Sequence, residues 1–295
     1  MSETDRKTWS ASAHERKVEN LYGGGVENYV DHHDGYLNFG LWEEGIGDYV
    51  KAAENLVHRI GTILGLNETS KLLDVAPGMG TQDIYLFKNF SPLSIDGLDV
   101  TWGHIEHGRR RAQQAHIEDR VRFQHGTATQ IPFPDETFTH VLSIEGPEHF
   151  DTREKFLHEA RRVLQPGGII AMADFIVKRE PRNVIEKLVA EAARKLWQVP
   201  RANVYDARVY EEKMRTAGFE KIELQEMGAV VIPGYYFEQM RPETIRAISK
   251  IRGFALARLS LLLDIAVYRG FTMGLLEYVL VRGEKVKQTV GLRWM

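Results

Sequence analysis

The sequence predicts an α/β fold, a largely parallel sheet with helices on both faces, and three observations carry that expectation. Leu72-Leu73-Asp74-Val75-Ala76-Pro77-Gly78-Met79-Gly80 reads as a buried strand that passes an acidic residue and enters a glycine-rich turn. Ile95 to Thr101 reads as a second strand, with Asp99 about 20 residues after that turn, where folds of this kind hold an acid against ribose hydroxyls. Beyond them, strand-like and helix-like segments alternate along the chain.

Helical patterning covers residues 14 to 30 and 47 to 65, separated by the aromatic segment Gly35 to Trp42. Strand 71 to 76 follows, since apolar residues ahead of Asp74 suit a central parallel strand. Then come helix 80 to 90, strand 94 to 99, helix 102 to 116, strand 121 to 125, strand 138 to 144, helix 152 to 164 and strand 168 to 175. Pro166-Gly167-Gly168 is the stop and turn before that last strand. Helices near 183 to 197 and 206 to 217 lead into a strand near 219 to 226, and a long helical insertion at about 242 to 268 precedes a final strand, Leu275 to Arg282. The expected organisation is a helical N-terminal lid over 1–65, a nucleoside-binding core over 66–180, and the remainder of the core over 181–295 with a helical cap at about 181–217 and 234–270.

An open sheet binds its ligands outside the carboxyl ends of its strands. That rule selects Asp74 to Gly80, Asp99, Thr127, Ser143 to His149 and Asp174. The turn is not a dinucleotide fingerprint, because its small residues fall at alternate positions, Ala76, Gly78 and Gly80, and no phosphate-loop Lys-Ser/Thr pair follows. A nucleoside ligand without phosphates fits; the competing reading is a tight turn with no ligand.

Composition removes several function classes. With 43% hydrophobic residues in 295, a sizeable core is available, and a net charge of −3 gives no general field for nucleic acid. Arg109-Arg110-Arg111 reads as a solvated helix face. The absence of cysteine excludes disulfides, thiolate metal sites and cysteine nucleophiles. His32-His33-Asp34 is the densest group of metal-ligand types, but adjacent histidines diverge on regular structure, so no metal is expected. Met1 to Lys17 is polar and lacks an apolar secretion signal, which predicts a cytoplasmic protein. Phe254 to Val267 is interrupted by Arg258 and Asp264, so it reads as a buried or capping helix rather than a membrane span, and its apolar character fits a hydrophobic ligand or a homodimer interface.

From about Tyr36 to Phe175 the chain resembles the class I S-adenosylmethionine-dependent methyltransferases, and among them the small-molecule group that includes ubiquinone/menaquinone-type and sugar O-methyltransferases. The resemblance rests on Asp74 to Gly80, Asp99, Val121 to Ala128, Ile131 to Val141, Ser143-Ile144-Glu145 and Arg162 to Gly168. It departs at Ala76, where the family usually has glycine, and at Thr127, where it usually has an aspartate beside the adenine. The hydroxyl both donates and accepts, which moves the expected adenine contact toward backbone Ala128.

The resemblance implies a Rossmann-like, doubly wound, seven-stranded sheet whose last strand is antiparallel. It implies S-adenosyl-L-methionine as cofactor, S-adenosyl-L-homocysteine as product, and a small-molecule methyl acceptor. Asp74, Ala76, Gly78 and Gly80 would pack on the methionine part, Asp99 and Val100 hold the ribose, Thr127 and Ala128 border the adenine, and Ser143 and Glu145 face cofactor and acceptor. Aromatic faces attract cations, so Tyr36 and Trp42 join the cofactor set. The glycines after Tyr22 (Gly23, Gly24, Gly25) suit a lid hinge or an ordinary loop.

For transfer to oxygen or nitrogen, His149 is the expected general base, because imidazole titrates near neutrality, with Asp174 orienting it or accepting the proton. The competing reading has His149 tying down a loop and Asp174 acting as a structural hydrogen-bonding residue. A C-methyltransferase acting on an alkene or activated ring carbon is the second enzymatic reading, with Glu148 steadying a carbocation. A non-catalytic cofactor-binding regulator is the third.

Overall fold

The computed structural model describes residues 11–23 and 33–286. Seven strands form one sheet: β1 Lys71–Val75, β2 Ser94–Asp99, β3 Val121–His125, β4 Phe138–Ile144, β5 Leu164–Val177, β6 Phe219–Glu226 and β7 Leu276–Lys285. Their order is β3-β2-β1-β4-β5-β7-β6. The pairs among β1 to β5 are parallel, whereas β7 runs antiparallel between β5 and β6. The chain order reverses at β1, between β2 and β4, which opens a crevice at the carboxyl ends of those strands.

Helices α1 Ala13–Gly23, α2 Tyr49–Leu64, α3 Thr81–Phe90, α4 Trp102–Gln114, α5 Arg153–Val163, α6 Val184–Leu196, α7 Ala207–Thr216, α8 Gly228–Gln239, α9 Pro242–Arg252 and α10 Phe254–Thr272 complete the described residues. Two apolar clusters, one on each sheet face, form the core. One holds Leu56 and Ile60 of α2 with Leu72, Ile105 and Leu142; the other holds Phe156 and Leu157 of α5 with Leu73, Val141, Ile170 and Tyr210 of α7. α2 shows how sequence sets an element. Asp48 accepts from Lys51 N at its start, Ala52, Ala53, Leu56, Val57, Ile60 and Leu64 recur on one buried face, and left-handed Gly65 ends it.

Three boundaries differ from expectation. β5 begins at Leu164 and runs through Pro166-Gly167-Gly168, because Leu164 pairs with Phe138 before the register jumps to His140 opposite Ile169; the expected turn is a bulge within the strand. The helical insertion starts at Gly228 and comprises three helices, with Gly253 at φ 77° separating α9 from α10. Val230-Val231-Ile232-Pro233 hides α8, since β-branched residues and an internal proline both argue against a helix. The expected helix over 14 to 30 is seen as α1, and its part beyond Gly23, with Gly24, Gly25 and Tyr29, lies outside the described residues. Among the described residues no helix is long and apolar enough to cross a membrane.

Candidate active site

The crevice holds a cavity whose floor comes from the β1 and β2 ends. Ala76 leaves β1 at φ 67°, its amide donating to Leu98 O at 2.8 Å, so the turn stays tied to β2. A side chain in this left-handed region costs about 1–2 kcal/mol, which is why glycine is usual at such a position. Gly80, at φ 73°, lets the loop press on α4, since a Cβ there would lie 2.8 Å from Gly108 Cα. Asp99 is oriented from three sides: Oδ1 accepts from Thr101 N at 2.7 Å, while Oδ2 lies 3.3 Å from Gly78 N and 3.2 Å from His104 Nδ1.

The roof comes from α1 and from the segment before α2. Glu15 reaches Thr127, whose hydroxyl donates to Oε1, and Tyr22 places its hydroxyl 2.8 Å from His149 Nε2. His14 Nε2 meets the His149 carbonyl at 2.8 Å. Phe39 N and the Tyr278 hydroxyl both donate to Glu145 Oε1 at 2.8 Å. Phe39, Phe150 and Trp197 line the cavity with aromatic rings.

Burial controls protonation here. Desolvation pushes the Glu145 carboxyl up to about 8, against the hydrogen bonds from Phe39 and Tyr278. It also raises Glu148 well above the usual range, helped by the charges of Asp174 and Glu145. His149 is pulled down to about 4, first by burial, with the backbone at Gln198 opposing. Burial thus disfavours the charged form of all three groups, with Glu148 Oε1 lying 3.9 Å from His149 Nε2.

The cavity gathers Tyr36, Ala76, Gly78, Asp99, Val100, Thr127, Ala128, Glu145, Glu148 and His149 from the expected set. Five expected residues do not line it. Asp74 lies beneath the floor, accepting from Gln82 Nε2 at 2.6 Å, and burial, with the charge of Asp99, raises it to about 7 against the hydrogen bonds from Gln82 and Asp83. Ser143 donates to Val75 O at 2.6 Å, and Gly80 is buried against α4. Trp42 is a cap strut: its amide donates to Val230 O at 2.7 Å and a Cβ on Gly234 of α8 would run into its ring. Asp174 is wholly buried in a network: Arg153 Nη2 donates to it at 3.1 Å, with Nε 2.8 Å away in the ion pair, the Tyr210 hydroxyl donates at 2.8 Å and Phe175 N at 2.7 Å. Its oxygens are engaged away from the cavity, and it does not touch His149.

Sequence reasoning missed Glu15, Val18, Asn38, Gln82 and His104, all of which line the cavity. The Ser12-x-x-Glu15 spacing, followed by Val18 and Tyr22 on the same helical face, was a readable signal for the first two. His33 stacks on Tyr49 with ring centroids 3.9 Å apart, and His32 lies outside the described residues. Among the described residues no group of three or more histidines and acids could hold a metal. Arg111 of the basic run bonds the Asp34 carbonyl at 2.8 Å.

A sheet of this order with a nucleoside-sized crevice at its switch point defines a class I methyltransferase fold. Residues 73–172 match the family described as a methyltransferase domain. The chain is 30% identical over 232 residues to erythromycin 3''-O-methyltransferase of Saccharopolyspora erythraea, covering 75% of this chain and 76% of that protein. It is 26% identical to 27-O-demethylrifamycin SV methyltransferase of Amycolatopsis mediterranei, covering 79% and 88%. A geranyl diphosphate C-methyltransferase from Streptomyces coelicolor A3(2), solved with S-adenosyl-L-homocysteine, shares the fold at a TM-score of 0.72 and 14% identity, covering 94% of this chain and 100% of that one. The chain belongs to the S-adenosylmethionine-dependent methyltransferase family. It is an enzyme that uses S-adenosyl-L-methionine to methylate small molecules.

The residues fit that cofactor. Asn38 Nδ2, a donor, and His104 Nε2, a ring nitrogen left to accept when Nδ1 donates to Asp99, are buried and line the cavity with no hydrogen-bond partner among the described residues, and Asp99 offers a carboxylate at the expected ribose position.

Proposed function

We propose that this chain methylates a hydroxyl oxygen of a largely apolar, natural-product-sized acceptor. One observation carries the reading: an O–H group, that of Tyr22, already sits 2.8 Å from Nε2 of a neutral His149 at the aromatic end of the cavity. The acceptor hydroxyl takes that position. Bound S-adenosyl-L-methionine supplies an activated methyl on a sulfonium sulfur. His149 Nε2 would take the proton of the acceptor hydroxyl as that oxygen is methylated. Asp99, Gly78 and Asn38 position the cofactor, and Phe39 and Trp197 exclude water from the acceptor. Positioning of this kind can be worth roughly 7–11 kcal/mol, and a general base about 100- to 10,000-fold.

The names of two relatives, erythromycin 3''-O-methyltransferase and 27-O-demethylrifamycin SV methyltransferase, support an oxygen acceptor on a natural-product-sized molecule. The reading includes a cytoplasmic location and a homodimer, for which Val184, Ile185, Leu188 and Val189 on the exposed face of α6 supply an apolar surface that sedimentation can test.

The test uses methyl-labelled cofactor with a panel of hydroxylated macrolide- and ansamycin-type acceptors. Label lost on chemical ether cleavage supports oxygen transfer, while label that survives means carbon transfer and ends the proposal. His149→Asn should lower kcat about 100-fold or more at saturating acceptor, and a loss under about tenfold would remove His149 as the base.

A further inference from the structure

The turn after β3 carries Thr127 in place of the acid that the resemblance puts beside the adenine, yet a carboxylate reaches the same place from α1. We propose that Glu15 selects the 6-amino purine of the cofactor, accepting a hydrogen bond from that amino group alongside the Thr127 hydroxyl. The proposal rests on the cofactor placement above.

Glu15 is 9% exposed and lines the cavity between Val18 and Thr127. A capping box holds it: the Ser12 hydroxyl accepts from Glu15 N at 3.1 Å, and Glu15 Oε2 accepts from Ser12 N at 2.6 Å. With Oε2 fixed, Oε1 is aimed at Thr127. Thr127 Oγ1 is itself held, 3.1 Å from Thr129 Oγ1 and accepting from Thr129 N at 3.2 Å. An ionised carboxylate only accepts, and each of its oxygens has room for a second bond. Oε1 therefore welcomes a 6-amino group and repels a 6-oxo group. A hydroxyl alone could not make that distinction, since it donates as readily as it accepts.

Glu15→Gln separates this role from a merely structural one. A capping box accepts glutamine, and Ser12 N still demands an oxygen. The amide nitrogen must then take the place of Oε1 and present a donor to the purine. The preference should reverse.

Calorimetry with S-adenosyl-L-homocysteine and its 6-oxo analogue, S-inosyl-L-homocysteine, reads the effect in wild type, Glu15→Gln and Asp99→Ala. Wild type should favour the 6-amino ligand by about tenfold or more, as expected for a hydrogen bond to a charged group. Glu15→Gln should abolish or invert that ratio, and Asp99→Ala should weaken both ligands while keeping it. An unchanged ratio in Glu15→Gln, including the case where both affinities fall together, would show that Glu15 only holds α1 in place. If Asp99→Ala leaves both affinities untouched, the ribose placement has failed and the proposal falls with it.

Discussion

Ala76, Gly78, Asp99 and Val100, the floor of the cavity, follow directly on two adjacent strand ends, whereas the roof joins groups far apart in the chain. Glu15 and Thr127 are separated by 112 residues, Tyr22 and His149 by 127, and Phe39 and Glu145 by 106. The floor is a backbone device, set by glycine conformations and the hydrogen bonds of Asp99. The roof is a side-chain device that exists only once α1 and the 33–42 segment have docked. The floor is thus written locally in the chain, whereas the roof depends on long-range docking of α1 and the 33–42 segment.

The sharpest break of this contrast is at Asp174, which belongs to neither region. Asp174→Ala strands the Arg153 guanidinium in the core and should cost about 3–5 kcal/mol of stability by urea unfolding. His149→Asn, by comparison, should leave the fold standing while turnover falls. A stable, inactive Asp174→Ala protein would return Asp174 to the chemistry.

Floor and roof should also differ in pH dependence. Asp74, raised from 3.8 to about 7 in the floor, contributes stability that is fully present below pH 3.8 and lost as pH rises through about 7. Glu145, raised to about 8, adds to the same side. His149, lowered from 6.5 to about 4 in the roof, contributes stability that is present above pH 6.5 and lost as pH falls through about 4. The two trends oppose each other on the acid side, so above pH 6.5 the buried acids Asp74 and Glu145 act alone and the melting temperature should fall toward pH 8. Asp83→Asn removes the like charge beside Asp74 and should recover about 2–4 °C at pH 8, with less gain at pH 5. Equal gains at both pH values would mean that the two acids do not share a proton.

The same contrast explains what the sequence disclosed. The strand and helix alternation, the glycine turn and Asp99 were legible because each is fixed by neighbours in the chain. Asp74 and Ser143 were drawn into the expected site by lying near strand ends, but side chains alternate across a strand and theirs point into the packed layers. Asp174 was misread because its partner, Arg153, is an unremarkable helix-start residue 21 positions earlier. Trp42 was misread for a related reason, since nothing in its surroundings announces that Gly234 of a distant helix leaves room for its ring. Glu15 was missed although its capping-box spacing was visible, because a cap alone does not say what lies above it.

The floor's hold on the cofactor is the central claim, and calorimetry of S-adenosyl-L-homocysteine binding to wild type and Asp99→Ala tests it without knowing the acceptor. A loss of about tenfold or more in affinity is the predicted result, consistent with losing hydrogen bonds to a charged group. Equal affinity in the two proteins would contradict it.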